Sequence, residues 1–235
     1  EMSDSEAIKE KAAHVNGIPV PMGEDGTPID ANHFNLPHSG NWFTNKRGKN
    51  LHVRYFLPNS PQQLKCLVFF LHGYAAHVNS TTPRKYGEEL AEKGIGVFMC
   101  DFEGHGHSHG DRSFIEDYNH LIDDALQMIQ IVAEDGCVTS EKEGFFAIVS
   151  EGWTDKLKTV KFGVSGQSLG GAIAIFIGQR IQKCVESLKS RFLGAFLLCP
   201  AIQGKPPHPV IIAILKKAIV PFFPHTKIPN FLETV

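Results

Sequence analysis

The sequence predicts an α/β fold, with a mostly parallel central sheet and helices on both of its faces. Three continuous apolar runs of strand length, residues 66–74, 96–101 and 192–200, have the composition of strands that are buried on both faces. Segments with helical signals, residues 82–95 and 117–134, lie between these runs along the chain. Such an alternation is typical of a parallel sheet covered by helices on both sides.

The chain begins with an N-terminal arm, residues 1–41, that is rich in Pro, Gly, Asn and Asp. The arm either packs as an extended segment or stays disordered, and the sequence favours neither. Residues 51–57 alternate in polarity and then meet Pro58, which predicts a half-exposed strand. In the first helix, residues 82–95, Thr82 is the predicted N-cap and a proline follows at the first helical position.

The second helix places its apolar residues on one stripe, and these are Leu121, Ile122, Ala125, Met128, Ile129 and Val132. For residues 136–158 the prediction is a loop with a short strand. Residues 159–164 are predicted to form another strand, so the predicted sheet has five strands, at 51–57, 66–74, 96–101, 159–164 and 192–200. We assign residues 42–205 to the α/β core and residues 206–235 to the start of a cap, where a short apolar helix between Pro209 and Pro221 either packs on the core or faces lipid.

The composition excludes several classes of function. With 42% hydrophobic and 20% charged residues, the 235-residue chain is ordinary globular protein. A formal net charge of -2 without a long basic run gives no reason to expect nucleic-acid binding. No apolar run reaches the roughly 18 residues of a membrane span. The five scattered cysteines, without CxxC spacing, indicate buried thiols in a reducing compartment.

One motif points to chemistry. Gly166, Ser168 and Gly170 form a GxSxG sequence between the predicted strand 159–164 and a helix-compatible segment, residues 169–182. In this context the serine takes a strained backbone conformation that lifts its hydroxyl clear of the sheet, and larger side chains two residues away would collide. Ser168 is therefore predicted as a nucleophile, against the alternative of a plain glycine-rich turn.

Five segments in order resemble the serine hydrolases of the α/β-hydrolase fold, and among them the monoacylglycerol lipase and lysophospholipase family, especially its plant-like members. The segments, within residues 42–230, are NKRGKNLHVRYFLP, FFLHGYAAH, DFEGHGHSHGDRSFI, SGQSLGGAI and GAFLLCPAI. Two features depart from the family. Leu169 stands where methionine is usual, a volume-conserving change, and the segment before the strand that leads to Ser168 is longer than usual.

The resemblance implies that Ser168 attacks an ester carbonyl and that the backbone N–H groups of Tyr74 and Leu169 hold the oxyanion. It implies no cofactor. It also implies that His72 is structural, with its ring tied to nearby backbone, and that the catalytic histidine comes from late in the chain.

Other polar residues carry weaker signals. His105, His107 and His109 alternate in a loop, which is poor spacing for three metal ligands, and we expect no metal site. Asp101 and Glu103 are interpreted as turn residues rather than an acid pair.

A serine nucleophile needs a histidine base and an acid, which this fold supplies in the order Ser, Asp or Glu, His. The candidates after Ser168 are Glu186, Glu233, His208 and His225, and none follows a later predicted strand. We therefore expect the catalytic acid and histidine not to be present in this chain, and the C-terminal part of the fold to be missing from it.

The resulting hypothesis is a serine hydrolase that cleaves a carboxylic ester of a single-chain lipid, a monoacylglycerol or lysophospholipid, through an acyl-enzyme on Ser168. An esterase for a small soluble ester and a non-catalytic homologue that binds a ligand or partner remain as alternatives. We expect a cytoplasmic protein that associates weakly with membrane surfaces through its apolar cap.

Overall fold

The computed structural model describes residues 14–15, 18–19, 41–136, 152–184 and 186–202, together with Pro209 and Lys217. The chain divides into two compact units, Glu1–Ala201 and Ile202–Val235. The predicted apolar helix of the cap lies, apart from those two single residues, outside the described residues.

The regular elements of the described residues all belong to the first unit. The strands are β1 (His14–Val15), β2 (Ile18–Pro19), β3 (Asn41–Thr44), β4 (Asn50–Phe56), β5 (Cys66–Leu71), β6 (Ile95–Cys100), β7 (Phe162–Gln167) and β8 (Phe192–Leu198). The helices are α1 (Thr81–Glu92), α2 (Tyr118–Ala133), α3 (Trp153–Thr159), α4 (Leu169–Ile181) and α5 (Glu186–Lys189), and a 3-10 turn spans Pro61–Gln63.

Strands β3 to β8 form one six-stranded sheet in the order β3-β4-β6-β5-β7-β8. The pairings of β4 with β3 and with β6 are antiparallel. The pairings of β5 with β6 and β7, and of β7 with β8, are parallel. The predicted mostly parallel α/β sheet is therefore confirmed. β1 and β2 form a separate antiparallel ribbon.

Helices cover both faces of the sheet. Along β5, Leu67, Phe69 and Leu71 face a large apolar cluster that includes α2, α3 and α4. The alternate residue Phe70 faces a second cluster, in which Tyr86 and Leu90 of α1 take part. A strand buried on both faces has no polar alternation, which explains the continuous apolar run in the sequence. The six apolar residues predicted as the stripe of α2 are all buried.

The sequence prediction missed β3. Residues Trp42 and Phe43 are both buried, at 5% and 0% exposure, so this four-residue strand shows no alternation. β3 joins β4 through a tight turn, in which the Gly48 N–H donates to the Asn45 carbonyl at 2.9 Å. The Asn and Gly of that turn were the available signal for a hairpin. The sheet thus has six strands among the described residues, where five were predicted.

Three further predictions were wrong in detail. Strand β4 is mostly buried rather than half-exposed, because its polar side chains His52 and Arg54 find internal partners. Strand β8 is not buried, since among the described strands it pairs with β7 alone, and its Phe196 is 61% exposed. Residues 153–158, predicted as part of a loop with a short strand, belong to helix α3, which also includes Thr159, the predicted first residue of the next strand.

The N-terminus of α1 also differs from the prediction. The N-cap is Ser80 rather than Thr82, and its side chain makes no capping hydrogen bond.

Close packing of α1 on the sheet gives a stability prediction. A Cβ on Gly87 would overlap the ring of Phe56, which is 6% exposed. Alanine normally stabilises a helix interior by about 1 kcal/mol over glycine, but here the overlap forces a shift. We expect Gly87→Ala to lower the free energy of unfolding by about 1–3 kcal/mol in urea denaturation. Glu89→Ala, at an exposed position of the same helix, is the control, and a stabilised Gly87→Ala would contradict the packing.

Candidate active site

Ser168 occupies the single-residue turn between β7 and α4, and it is exposed. Its φ of 51° and ψ of -114° lie outside the regions that side-chain-bearing residues ordinarily adopt. Hydrogen bonds hold this conformation. The Ser168 N–H donates to the Leu198 carbonyl at 2.9 Å, and its carbonyl accepts from the N–H groups of Gly171 at 3.0 Å and Ala201 at 2.9 Å. Strain of this kind persists where the surroundings enforce it, commonly at functional sites.

The flanking glycines make this turn sterically possible. A Cβ on Gly166 would overlap the carbonyl of Gly170 at the start of α4. A Cβ on Gly170 would lie 2.5 Å from the Leu71 carbonyl carbon and 2.6 Å from the His72 oxygen. Strand β7, strand β5 and the first turn of α4 therefore approach each other at backbone distance. Larger side chains at both glycines would collide, as the GxSxG motif predicted.

The end of β5 brings a second segment beside Ser168. A Cβ built on Gly73 would lie 3.4 Å from Ser168 Cβ and 4.0 Å from Ser168 Oγ. Tyr74 follows directly, and its hydroxyl donates to the Ser113 carbonyl at 2.8 Å. This contact has no local sequence signal, because it joins residues 39 positions apart.

Two backbone N–H groups near Ser168 are available to a ligand. Leu169 is the first residue of α4, where helix geometry leaves the N–H without an intrahelical acceptor. The Tyr74 N–H likewise has no hydrogen-bond acceptor in the described part of the chain. The positive end of the α4 dipole adds to the attraction for a negative charge at this point.

His72 is fully buried, and both of its ring nitrogens are engaged by backbone. Nδ1 lies 2.7 Å from the Gly73 carbonyl, and Nε2 accepts from the Phe102 N–H at 3.0 Å. Burial lowers the pKa of His72 to about 4. The ring is thus neutral near pH 7 and is tied to nearby backbone, as the sequence analysis expected.

Asp101 follows β6 and is also fully buried. Its Oδ1 accepts from the Val78 N–H at 2.7 Å, and its Oδ2 accepts from His52 Nδ1 at 2.9 Å and from the His107 N–H at 3.0 Å. Burial alone would raise the pKa of Asp101, but the hydrogen bonds from the His52 ring and from the His107 N–H oppose burial, and the pKa is held well below its usual value.

Glu103 takes part in a separate network. Arg47 Nη2 lies 2.8 Å from a Glu103 oxygen and 2.7 Å from a carboxylate oxygen of the buried Asp124. Burial raises the pKa of Asp124, although Arg47 and Asn45 oppose that shift. This network links the β3-β4 hairpin to α2. Asp101 and Glu103 thus have separate partners and do not form an acid pair.

The three alternating histidines point to different partners. His105 Nδ1 lies 3.0 Å from the Glu103 carbonyl, and the Asn50 N–H donates to His109 Nδ1 at 3.3 Å. The ring of His107 packs edge-on against His52, with 5.2 Å between centroids. Within the described ranges, no three His, Cys, Asp or Glu side chains converge as metal ligands do.

Of the four candidates for the catalytic acid and base, Glu186 is among the described residues. Glu186 lies in α5, exposed, with its carboxylate 3.5 Å from Lys189 Nζ. Glu233, His208 and His225 lie outside the described residues.

The predicted burial of the cysteine thiols is confirmed only in part. Cys100 is buried, Cys66 and Cys184 are half-buried, and Cys199 is exposed, so the prediction is wrong for Cys199. Cys137 lies outside the described residues.

Comparisons with known proteins agree with the fold. The family model described as "Serine aminopeptidase, S33" matches residues 62–140, a range that ends before Ser168. Monoglyceride lipase of Mus musculus is 26% identical over 200 residues, which are 83% of this chain and 53% of that protein. The Homo sapiens enzyme is 26% identical over 198 residues, 83% of this chain and 52% of that protein.

Solved structures give the same fold. A soluble variant of the Saccharomyces cerevisiae monoglyceride lipase aligns with a TM-score of 0.57 at 17% identity, over 83% of this chain and 55% of that chain. An alpha/beta hydrolase from Penicillium sp. sh18 aligns with a TM-score of 0.55 at 18% identity, over 77% and 52%.

The chain has the α/β-hydrolase fold. It is similar in sequence to the monoglyceride lipases, as the sequence segments indicated, and it spans about half the length of the curated relatives it matches. No helix among the described residues is long and apolar enough to cross a membrane.

Proposed function

We propose that the protein is a serine hydrolase that cleaves the carboxylic ester of a single-chain lipid, a monoacylglycerol or lysophospholipid. The observation that carries the proposal is the exposed Ser168 in its strained turn at the N-terminus of α4, beside Gly73 and Tyr74. This arrangement supports acyl transfer, because that reaction needs a nucleophile with N–H donors beside it, and Leu169 and Tyr74 directly follow Ser168 and Gly73 in the chain.

In the proposed reaction, Ser168 Oγ attacks the ester carbonyl carbon while a general base removes the hydroxyl proton. The negative charge that develops on the carbonyl oxygen is held by the N–H groups of Leu169 and Tyr74. The base then returns the proton to the leaving alcohol, and an acyl-serine remains until water hydrolyses it. The histidine base and the acid that orients it belong, in this proposal, to residues other than those described.

The substrate class rests on the monoglyceride lipases to which the chain is similar. A lipid ester differs from a small ester by the length of acyl chain that the enzyme removes from water. Burial of each methylene contributes about 0.8 kcal/mol, so roughly three buried methylenes would raise kcat/KM roughly 50-fold. We also propose that the protein is cytoplasmic and associates weakly with membrane surfaces through the apolar cap segment, residues 206–235.

A chain-length series tests this proposal. The full-length protein is assayed with p-nitrophenyl acetate, butyrate, octanoate and laurate, and then with a monoacylglycerol and a lysophosphatidylcholine. We expect kcat/KM to rise at least about tenfold from acetate to octanoate. A flat or falling series with good turnover of acetate would favour the small-ester alternative, and no turnover of any ester would favour a non-catalytic homologue.

A further inference from the structure

The loop that carries the Tyr74 N–H, residues 72–80, is fastened by the segment that follows β6, residues 101–113. We call residues 72–80 the oxyanion loop. Three hydrogen bonds join the two segments: Phe102 N–H to His72 Nε2 at 3.0 Å, Val78 N–H to Asp101 Oδ1 at 2.7 Å, and Tyr74 hydroxyl to Ser113 O at 2.8 Å. The position of the oxyanion loop beside Ser168 therefore depends on contacts outside the loop.

Asp101 is the centre of this attachment. Its carboxylate accepts three hydrogen bonds, and the donors belong to three different parts of the chain: His52 in β4, Val78 in the oxyanion loop and His107 in the turn after β6. Asp101 itself stands directly after the last residue of β6. The side chain thus joins a central strand of the sheet to the oxyanion loop by a single short bridge.

The Asp101 carboxylate is closely packed against the backbone of Gly106. A Cβ on Gly106 would overlap the Asp101 carboxyl group. Among the described residues no lysine or arginine forms an ion pair with Asp101, so its buried charge is stabilised by hydrogen bonds from His52 and backbone. A buried carboxylate needs such hydrogen bonds, and here the donors come from three segments that the side chain thereby joins.

We propose that Asp101 is a positioning residue for the proposed hydrolase reaction: its carboxylate holds the oxyanion loop so that the Tyr74 N–H meets the oxyanion that forms at Ser168. This inference rests on the proposed function. Loss of one oxyanion donor outright typically costs about 10²- to 10³-fold in kcat. A donor that is displaced rather than lost should cost less, on the order of tenfold.

Asp101→Asn is the main variant. Asparagine keeps the size of the side chain, but its NH₂ group cannot accept, so the carboxamide can no longer accept from Val78 on one side and from both His52 and His107 on the other. Ser108→Ala is the matched control. The Ser108 hydroxyl donates to the backbone carbonyl of Asp101 and accepts from the His52 N–H, and neither of these hydrogen bonds involves the oxyanion loop.

Two measurements are made on the full-length protein and both variants. One is the second-order rate constant for labelling by a fluorophosphonate probe, with the labelled residue mapped. The other is hydrogen–deuterium exchange of peptides that cover residues 72–80. For Asp101→Asn we expect labelling about tenfold slower and faster exchange in the oxyanion loop. For Ser108→Ala we expect an unchanged labelling rate and loop exchange, even where thermal stability falls.

An Asp101→Asn protein that is labelled at the wild-type rate overturns the positioning role alone and leaves the proposed function standing. Unchanged exchange in the oxyanion loop overturns it equally. A wild-type protein that is not labelled at Ser168 overturns both, since then no oxyanion forms there. If Asp101→Asn does not fold, His52→Gln, which removes one donor to the carboxylate, replaces it. That variant is expected to slow labelling by a smaller factor, and an unchanged rate overturns the role.

Discussion

Ser168→Ala is expected to lower the kcat for ester hydrolysis by about 10⁴-fold or more, while the protein stays folded. The reason is chemical. Removal of the nucleophile abolishes the acyl-enzyme route and leaves only the oxyanion donors and substrate binding to accelerate attack by water. The fold should change little, because the Ser168 contacts that hold the turn are made by its backbone N–H and carbonyl.

The same segment offers a matched control serine. Ser165 lies in β7, is 1% exposed, and its hydroxyl has no hydrogen-bond partner among the described residues. Ser165→Ala removes a buried unsatisfied hydroxyl, which should leave the free energy of unfolding unchanged or raise it by up to about 1 kcal/mol. We expect its kcat to match wild type. Equal loss of activity in both variants would show that the effect is structural and would remove Ser168 from the mechanism.

Gly170→Ala is expected to have the largest effect on stability, a loss of about 3 kcal/mol in the free energy of unfolding. The added Cβ would meet the carbonyl groups of Leu71 and His72, and backbone atoms cannot move aside as a side chain can. The start of α4 would have to shift, and the Leu169 N–H would shift with it. Slower labelling of Ser168 should therefore accompany the loss of stability.

Gly178→Ala in the same helix is the control for that variant. A Cβ on Gly178 would lie 3.8 Å from the Phe192 ring, an ordinary contact. Here the helix propensity of alanine should dominate and stabilise the protein by up to about 1 kcal/mol. Alanine at Gly170 and at Gly178 is thus expected to change the free energy of unfolding in opposite directions. A Gly170→Ala protein as stable as wild type in urea denaturation would contradict the close approach of α4 to β5.

Much of the architecture was predictable because it depends on local periodicity. The apolar runs of β5 and β6 and the stripe of α2 each contain enough residues to show their period. Two elements lacked that length: β3 buries two consecutive residues, and α3 buries only Trp153 and Leu157 over seven positions.

Burial was harder to predict than element type. The residues of β8 are as apolar as those of β5, but β8 pairs on one side only within the described sheet. In β4 the reverse holds, since polar side chains are buried. His52 is 2% exposed because Asp101, 49 residues later, accepts from its ring. No local pattern reports such a pair.

The candidate site divides in the same way. The turn at Ser168 could be predicted from GxSxG because the glycines that permit it are adjacent in sequence. The attachment of the oxyanion loop to residues 101–113 could not, because it joins Val78 to Asp101 and Tyr74 to Ser113 across the fold. The roles of Ser168, Tyr74 and Leu169 stay predictions.

The most direct test is the intact mass of the full-length protein before and after reaction with a fluorophosphonate probe, followed by peptide mapping of the adduct. The proposed mechanism predicts a single adduct on Ser168 that is absent from Ser168→Ala and retained in Ser165→Ala. An unlabelled wild-type protein, or an adduct that persists in Ser168→Ala, would contradict the assignment of Ser168 as the nucleophile.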